Sequence, residues 1–262
     1  MNDEKDYDTL QLSRFNSYQG LYQILPNYAS MSKFLGNLAE LIGKRTLVHK
    51  TNQSESGIKH KQEIKIIDTF FSDTIVSDSK LLEDLVLNAL NEEYTIQILL
   101  YDPFSEISKM RLKALQKNDY TDGDEFIETN RALFALRQAF NRNTKENFSE
   151  EAYKESNQIF QQLEAIKSLC EGFKGRLEIK FYKKITELPV YIVGDYLFKG
   201  LILSDETSKN NPWLVFVDDI SNGDDMYSKL HQNFNNIWDQ EETNTISAYI
   251  KNGKDSAGRE IR

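Results

Sequence analysis

The sequence predicts an α/β fold in which a mixed β-sheet is flanked by helices. Two short, continuous apolar runs, at residues 64–71 and 95–101, have the β-branched and aromatic composition of buried strands. Helical periodicity precedes and follows the second run, and strands that alternate with helices form parallel pairs with right-handed crossovers. A later apolar run at residues 190–203 is interrupted by Gly194 and Asp195, which predicts a hairpin of antiparallel strands.

The first 60 residues are predicted to form an N-terminal helical arm and a polar linker. Residues 1–25 mix polar and aromatic groups, which fits a loose arm or a short helix. Apolar residues at three- and four-residue steps predict an amphipathic helix from Ser30 to about Gly43. The following residues, 50–57, have the polar composition of a linker.

Helices and strands alternate through the main domain, which is predicted to span residues 63–240. Its last helix, from about residue 223 to 240, is expected to turn its apolar residues inward. Residues 241–262 contain few apolar groups and are predicted to be a C-terminal tail. Further helices are expected at about 79–90, 105–115, 125–143 and 149–173, and further strands at 177–182 and 213–217.

Composition and charge limit the classes of partner that we expect the protein to bind. The chain has 262 residues, with 32 Lys and Arg against 41 Asp and Glu, for a net charge of −9. Sequence-independent affinity for nucleic acid depends on basic groups that neutralise phosphates, so nucleic acid is not an expected partner. The N-terminus lacks an apolar signal core, and no apolar run is long enough to cross a bilayer. We therefore expect a cytoplasmic protein without a membrane partner.

The residue types that hold metals and cofactors are sparse. Cys170 is the single cysteine, which excludes an intramolecular disulfide and a thiolate metal site within one chain. It lies on an apolar helical stripe, where a buried, unreactive thiol is expected. The acidic pairs near residues 205, 218 and 224 lack the alternating spacing and the glycine of a calcium loop. We expect neither a metal nor a cofactor.

Three segments carry a resemblance to a known family. A strand ending in Ile98-Leu-Leu-Tyr-Asp-Pro103 leads into a helix that contains Arg111. The hairpin around Asp195 is the second segment, and Phe234-Asn-Asn-Ile-Trp238 near the end of the last predicted helix is the third. Together they resemble the degenerate, catalytically inactive phospholipase D-like domains of bacterial proteins. The resemblance implies half of a phospholipase D-type fold, with an N-terminal helical arm and long helical inserts.

The resemblance also implies that the family's chemistry is missing. Catalytic members carry a His-x-Lys-x-x-x-x-Asp motif, in which the histidine attacks phosphorus and the lysine neutralises phosphate oxygens. Here Asp195 occupies the aspartate position, but Leu188 falls on the histidine and Val190 on the lysine. Without an imidazole and an ammonium, these positions supply neither a nucleophile nor phosphate-binding charge. We therefore expect no catalytic residue at this motif.

The three histidines lie elsewhere in the sequence. His49 and His60 fall in or beside the polar linker, and His231 is predicted on the exposed side of the last helix. We do not expect them to rebuild an active centre.

Two interpretations of Asp195 stay open. It could orient a ligand or a basic group in the old active-site cleft, with Tyr191, Tyr196 and Arg111 as further binding candidates. Alternatively, Gly194 and Asp195 form a turn in which the aspartate caps backbone N–H groups.

The expected function is a non-catalytic sensor or protein-interaction module of a bacterial regulatory or defence complex, in effect a pseudoenzyme. The setting, including antiphage defence, is implied by the resemblance alone. One alternative is a phosphodiesterase or nuclease with an atypical active site, and a further one is a structural dimerisation subunit. The expected partner is a second copy of the chain, as in a homodimer, or a protein from the same operon.

Overall fold

A computed structural model describes residues 21–49, 61–68, 85, 88–90, 92–102, 105–116, 121, 129, 131–133, 159–183, 189–201, 211–218, 225–240 and 244–246. These residues confirm the predicted class, since they form a mixed sheet with helices packed on it. The elements are β1 Leu21–Leu25, α1 Tyr28–His49, β2 Glu63–Asp68, β3 Thr95–Tyr101, α2 Glu106–Gln116, α3 Ile159–Gly172, β4 Leu177–Tyr182, β5 Val190–Val193, β6 Tyr196–Gly200, β7 Trp213–Val217, α4 Met226–Trp238 and β8 Asn244–Thr245.

The described strands form one sheet in the order β1-β7-β6-β5-β2-β3-β4-β8. Strands β2 and β3 are parallel, as the alternation of strands with helices predicted, and β4 adds to them in the same direction. All the other neighbouring pairs are antiparallel. The sheet therefore has a parallel centre extended by the β5–β6 hairpin and β7 on one side.

Both faces of the central strands are buried, which explains their continuous apolar sequences. On one face, Ile64 and Ile66 of β2 belong to a cluster that includes Met31 and Leu35 of α1. On the other face, Ile67 packs in a second cluster with Phe234 of α4. Alternate residues of β2 thus point toward two different helical layers.

Helix α4 begins at a well-defined cap. The side chain of Asp225 accepts a hydrogen bond from the backbone N–H of Ser228 at 2.7 Å. This bond satisfies a donor that has no partner within the helix itself. The buried residues of α4 are Tyr227, Phe234, Ile237 and Trp238. Their spacing places them on one face of the helix, and this face packs against the sheet.

Two strands come from segments that were predicted to lie outside the domain. Strand β1 belongs to the predicted arm but pairs with β7, and α1 contributes to the core. Strand β8 belongs to the predicted tail but pairs with β4, and the adjacent Ile246 is 4% exposed. The sheet and its core therefore extend past the predicted boundaries at residues 60 and 240. Tertiary pairing recruits these strands, because neither is long enough to give a clear period in the sequence.

Other predictions fall partly outside the described residues. Helix α3 begins at Ile159, and the predicted helical residues before it are not described. The same holds for most of the helix predicted at 125–143 and for the polar linker at 50–57. No helix among the described residues combines the length and the apolar content that a membrane span needs.

Candidate functional site

A polar cluster lies between β2 and α4, within an otherwise apolar layer. Glu63 and Lys65 are two residues apart on β2 and therefore point to the same face of the sheet. His231 and Asn235 are four residues apart on α4 and share one face of the helix. We refer to these four residues as the β2–α4 cluster.

Lys65 occupies the centre of the β2–α4 cluster. Its Nζ lies 2.8 Å from Glu63 Oε2, 3.0 Å from Asn235 Oδ1 and 3.0 Å from His231 Nε2. The lysine side chain is only 8% exposed. An ammonium that is this deeply buried needs the partners that surround it, because burying an unpaired charge is strongly unfavourable.

The short contact between His231 and Glu63 fixes the imidazole tautomer. His231 Nε2 lies 2.7 Å from Glu63 Oε1, and Asn235 Nδ2 lies 3.3 Å from His231 Nδ1. A neutral imidazole with its proton on Nε2 donates to Glu63 and accepts from Asn235. With the proton on Nδ1, the unprotonated Nε2 would face Glu63 Oε1 at 2.7 Å, which are two acceptors. Nδ1–H would then face Asn235 Nδ2 at 3.3 Å, which are two donors. We therefore assign the Nε2–H tautomer, which leaves one contact between two donors, the 3.0 Å approach of Lys65 Nζ to Nε2.

Glu63 is held as a carboxylate by this arrangement. Burial alone would raise its pKa, but the hydrogen bonds from His231 and Lys65, together with the positive charge of Lys65, lower the pKa from 4.5 to about 2. Each carboxylate oxygen accepts from one of the two partners, so the oxygens of Glu63 are used inside the β2–α4 cluster. A closed set of this kind stabilises the packing of α4 on β2.

Tyr227 and Lys61 extend the polar contacts toward the amino end of β2. The phenol of Tyr227 stacks on the His231 ring at 5.8 Å and donates a hydrogen bond to the carbonyl of Gly194 at 2.7 Å. Lys61 Nζ lies 4.5 Å from the centre of the Tyr227 ring and 2.8 Å from Asp218 Oδ2. Burial and nearby carboxylates, Glu63 and Asp218 among them, raise the pKa of Tyr227 well above its usual range.

Asp195 lies in the turn that joins β5 to β6. Gly194 precedes it with a φ of +58°, a conformation that favours glycine, and an added Cβ there would lie 3.2 Å from the carbonyl oxygen of Lys61. Asp195 Oδ1 accepts a hydrogen bond from the backbone N–H of Lys61 at 3.4 Å, and its carbonyl accepts one from Asp218 N at 2.9 Å. The side chain thus contacts the backbone that leads into β2, as the turn interpretation proposes.

Tyr191 lies on the opposite face of the sheet from the β2–α4 cluster. It is 2% exposed, packs edge-on against Trp213 and donates a hydrogen bond to Asp68 Oδ2 at 2.6 Å. Burial and the Asp68 charge raise the pKa of Tyr191 well above its usual range. Asp68 ends β2, whereas Asp195 contacts Lys61 before β2 begins. Seven residues of extended chain separate these two ends by roughly 20 Å.

The other two candidates do not complete a cleft with Asp195 and Tyr191. Tyr196 is half-buried and meets Tyr22 and Phe34 in edge-on contacts, so its ring packs between β1 and α1. Arg111 lies on α2, but its side chain is outside the described part of the chain. Tyr191 and Tyr196 therefore lie on the same side of the sheet as α1, whereas Asp195 lies in the turn between β5 and β6. A role for any of them in binding stays a prediction.

Val190, which the resemblance aligns with the lysine of the phospholipase D motif, has apolar surroundings. Val190 is 4% exposed and packs in the second apolar cluster, which also contains Ile67, Leu99 and Ile192. An ammonium at this position would be buried among hydrocarbon side chains. Leu188, which the resemblance aligns with the histidine of that motif, lies outside the described residues.

A second polar group lies at the carboxyl ends of the parallel strands. Asp102, just after β3, is fully buried and lies 3.4 Å from Lys183 Nζ, just after β4. Asp68 and Tyr191 form the neighbouring pair at the end of β2. Carboxyl ends of parallel strands are common ligand sites in α/β folds. The contacts described here are made between the protein's own side chains.

The position of His231 differs from the prediction, and the β2–α4 cluster was not predicted. His231 was predicted on the exposed side of the helix, but its side chain is 19% exposed and faces Glu63. The signal was present in the spacing, because His231 lies four residues after Tyr227 and three before Phe234, both of which are buried. The Glu-x-Lys pattern on β2 was a second sign, since charged residues on a buried strand need partners.

The structure also describes the environment of Cys170 and the arrangement of possible metal ligands. The Cys170 thiol is partly buried, and burial together with the nearby Glu178 charge raises its pKa to about 12. The thiol is thus less buried than predicted, and its lack of reactivity stays a prediction. No group of three or more His, Cys, Asp or Glu among the described residues is arranged to hold a metal ion.

Comparisons with known proteins add little to this geometry. No family model matches the sequence, and no curated protein matches it. Among solved structures, the archaeal chromatin protein TrmBL2, which shows a novel mode of DNA binding, matches with a TM-score of 0.40 and 13% sequence identity. The match covers 85% of this chain and 52% of that one, so the chain spans about half the length of TrmBL2. A TM-score this low assigns neither a fold family nor an activity.

Proposed function

We propose that this protein is a non-catalytic interaction module, a sensor or binding subunit of a bacterial regulatory or defence complex. The observation that carries the proposal is the environment of Val190. It occupies the position of the phosphate-binding lysine and is buried among apolar side chains. Phosphodiester cleavage by the family mechanism requires charge at that place. The regulatory or defence setting rests on the family resemblance alone.

The β2–α4 cluster supports the same proposal. Its His, Lys, Glu and Asn side chains form hydrogen bonds and ion pairs with one another. A phosphate oxygen would have to displace Glu63 from Lys65, and a histidine nucleophile would have to break its bond to Glu63. Both steps would leave buried charge unpaired, which is unfavourable. We infer that the β2–α4 cluster has a structural role in holding α4.

A second candidate is a phosphodiesterase with an atypical active site. The specific observation in its favour is the 3.0 Å approach of Lys65 Nζ to His231 Nε2, because a histidine beside a lysine is the pair that phosphoryl chemistry uses. His231 is also not completely buried, at 19% exposure. In this alternative His231 would be the nucleophile and Lys65 would neutralise phosphate oxygens.

Turnover measurements separate the two candidates. Purified protein is incubated with single-stranded DNA, duplex DNA, RNA, a nitrophenyl phosphodiester and phosphatidylcholine vesicles, each with and without divalent cations. The proposal expects the same background rate for the wild type and for His231→Gln, which keeps a polar side chain of similar length. Turnover that His231→Gln and Lys65→Met both abolish, while their circular dichroism spectra match the wild type, would support the atypical enzyme.

The partner in this proposal is a protein, either a second copy of the chain or a different subunit. The net charge of −9 disfavours general affinity for nucleic acid. Two lysines of the region between residues 44 and 65, which is rich in basic residues, form internal ion pairs, Lys61 with Asp218 and Lys65 with Glu63. A filter-binding titration with duplex and single-stranded DNA at moderate salt should therefore detect no saturable binding.

A further inference from the structure

Lys65 and Asn235 bring an amine nitrogen and a side-chain amide together inside the protein, although 170 residues separate them in the chain. Lys65 Nζ lies 3.0 Å from Asn235 Oδ1. One C=O bond of about 1.2 Å joins that oxygen to the amide carbon, so Nζ lies at most about 4.2 Å from this carbon. A small rotation of either side chain brings the two atoms to the separation of about 3–3.5 Å from which bonds form.

Glu63 supplies a base at the same nitrogen. An ammonium cannot attack a carbonyl carbon until it loses a proton. Glu63 Oε2 lies 2.8 Å from Lys65 Nζ, and the carboxyl group stays ionised because its pKa is about 2. A carboxylate in direct contact can accept the proton, but a base this weak holds it only rarely, which makes any reaction of the amine slow.

His231 orients the amide of Asn235. Asn235 Nδ2 lies 3.3 Å from His231 Nδ1 and donates to it in the Nε2–H tautomer. This bond keeps Oδ1 turned toward Lys65 and the amide nitrogen turned toward the imidazole. The nitrogen that would leave the amide is therefore directed away from the amine that would replace it. His231 acts here as a positioning residue.

The surroundings of Lys65 limit the access of water and favour an uncharged product. The lysine side chain is 8% exposed, and its Nζ lies 5.7 Å from the centre of the Phe234 ring. Ile192, its partner on β5, is fully buried. An amide is less costly to bury in such a layer than an ammonium, and its N–H can still donate to Glu63.

We propose that Lys65 and Asn235 form an intramolecular isopeptide bond, with Glu63 as the catalytic base. Glu63 removes one proton from the ammonium, and the neutral amine attacks the amide carbon of Asn235. A second proton moves from Nζ to Nδ2, and the bond from the carbon to Nδ2 breaks as the carbonyl re-forms. The released ammonia takes the first proton back from Glu63 and leaves as ammonium.

This reaction has the chain itself as its substrate and occurs once in each molecule. It goes beyond the proposed function, because it needs neither a phosphodiester nor a partner protein. The contacts described for the β2–α4 cluster are those of the unlinked chain. The new bond would attach α4 covalently to β2.

Mass spectrometry on the full chain tests the bond. Chains incubated at neutral pH for several days should lose the mass of one ammonia molecule, in a fraction that grows with time. Trypsin should then release a linked pair of peptides, residues 62–80 and 230–251, because it no longer cleaves after a linked Lys65. Peptide mapping is required because asparagine followed by glycine, as at Asn222 and Asn252, can also lose ammonia.

Three comparisons show whether the folded site makes the bond. The same chain incubated in urea should not link, because unfolding separates β2 from α4. Glu63→Gln keeps both reacting groups but removes the base, and should slow linkage by about 100-fold or more. Lys65→Arg should abolish it. Lys180→Arg is the matched control, because Lys180 Nζ lies 3.1 Å from the backbone carbonyl oxygen of Trp238 and linkage should continue unchanged.

A wild-type chain that yields no linked peptide after this incubation, while its circular dichroism shows that it is folded, would overturn the proposal. Linkage at the same rate in Glu63→Gln, or in urea, would also overturn it. So would a loss of ammonia that peptide mapping assigns only to other asparagines.

Discussion

His231 and Glu63 are 168 residues apart in the chain, yet Nε2 of the first lies 2.7 Å from Oε1 of the second. This contact joins the last described helix to the first central strand of the sheet. It belongs to a set in which Lys65 contacts both of these residues and Asn235 contacts His231 and Lys65. The arrangement explains why a strongly apolar face tolerates four polar side chains.

Replacing His231 by Ala should lower the stability of the protein. The change removes the donor to Glu63 and leaves a partly buried carboxylate with one partner fewer, which typically costs about 1–3 kcal/mol. Urea denaturation at neutral pH measures the difference. Glu106→Gln is the control, because its ion pair with Lys109 is 3.4 Å long and Glu106 is 82% exposed, so its loss should have almost no effect. Equal effects of the two variants would contradict a structural role for the β2–α4 cluster.

Acid should remove the stabilisation that Glu63 supplies. Its pKa is about 2 in the folded protein against an ordinary 4.5, so the stabilisation is complete above about pH 4.5 and disappears as the pH falls through about 2. The shift corresponds to about 3 kcal/mol, which solvent screening of this partly exposed group reduces to about 2 kcal/mol.

Denaturation of the wild type and Glu63→Gln at several pH values measures this contribution. The stability difference between the two proteins should be constant above pH 4.5 and shrink toward pH 2. A difference that does not change over this window would show that Glu63 has an ordinary pKa.

Tyr191→Phe should destabilise the other face of the sheet. The variant keeps the ring against Trp213 but removes the hydrogen bond to Asp68, at a cost of about 1–2 kcal/mol. The same substitution in an Asp68→Asn background should cost less, because the acceptor is then uncharged. A double-mutant cycle by thermal or urea unfolding gives the coupling energy, and additive effects would mean that the two side chains do not interact.

Asp195→Asn distinguishes the two interpretations of that residue. In the turn interpretation the variant unfolds slightly more easily, by less than about 1 kcal/mol, because its bond to Lys61 N is long at 3.4 Å. In the ligand interpretation the fold is unchanged, and binding of the partner weakens by about 1–3 kcal/mol. Melting temperature and partner affinity, measured on the same preparation, separate the two outcomes.

The sequence predicted the parts of the fold that are specified by long, continuous patterns. Thr95 to Tyr101 was predicted as a strand and is β3 with those bounds, because an apolar run between two helices has few alternatives. Strands β1 and β8 were missed because pairing with β7 and β4, not local composition, determines their conformation.

The polar cluster was harder to predict than the fold. Nothing local connects Glu63 to a residue on α4, and the contact exists only once the helix lies across the sheet. The helical spacing of His231 with Tyr227 and Phe234 does indicate which way the imidazole points. The candidates Asp195 and Tyr191 were grouped because they are close in sequence. Tyr191 contacts Asp68 at the carboxyl end of β2, whereas Asp195 contacts Lys61 before β2 begins, so the two side chains contact opposite ends of that strand.

The imidazole of His231 gives the most direct test of the claim that the β2–α4 cluster is a closed structural set and not a catalytic centre. Nitrogen-15 NMR at mildly alkaline pH, with the signal assigned by its loss in His231→Gln, reports which ring nitrogen carries the proton. We predict the Nε2–H tautomer, with no change in the ring signals when inorganic phosphate or a phosphodiester is added. An Nδ1–H tautomer whose signals shift on addition of phosphate would contradict the account and favour a phosphate-binding, catalytic His231.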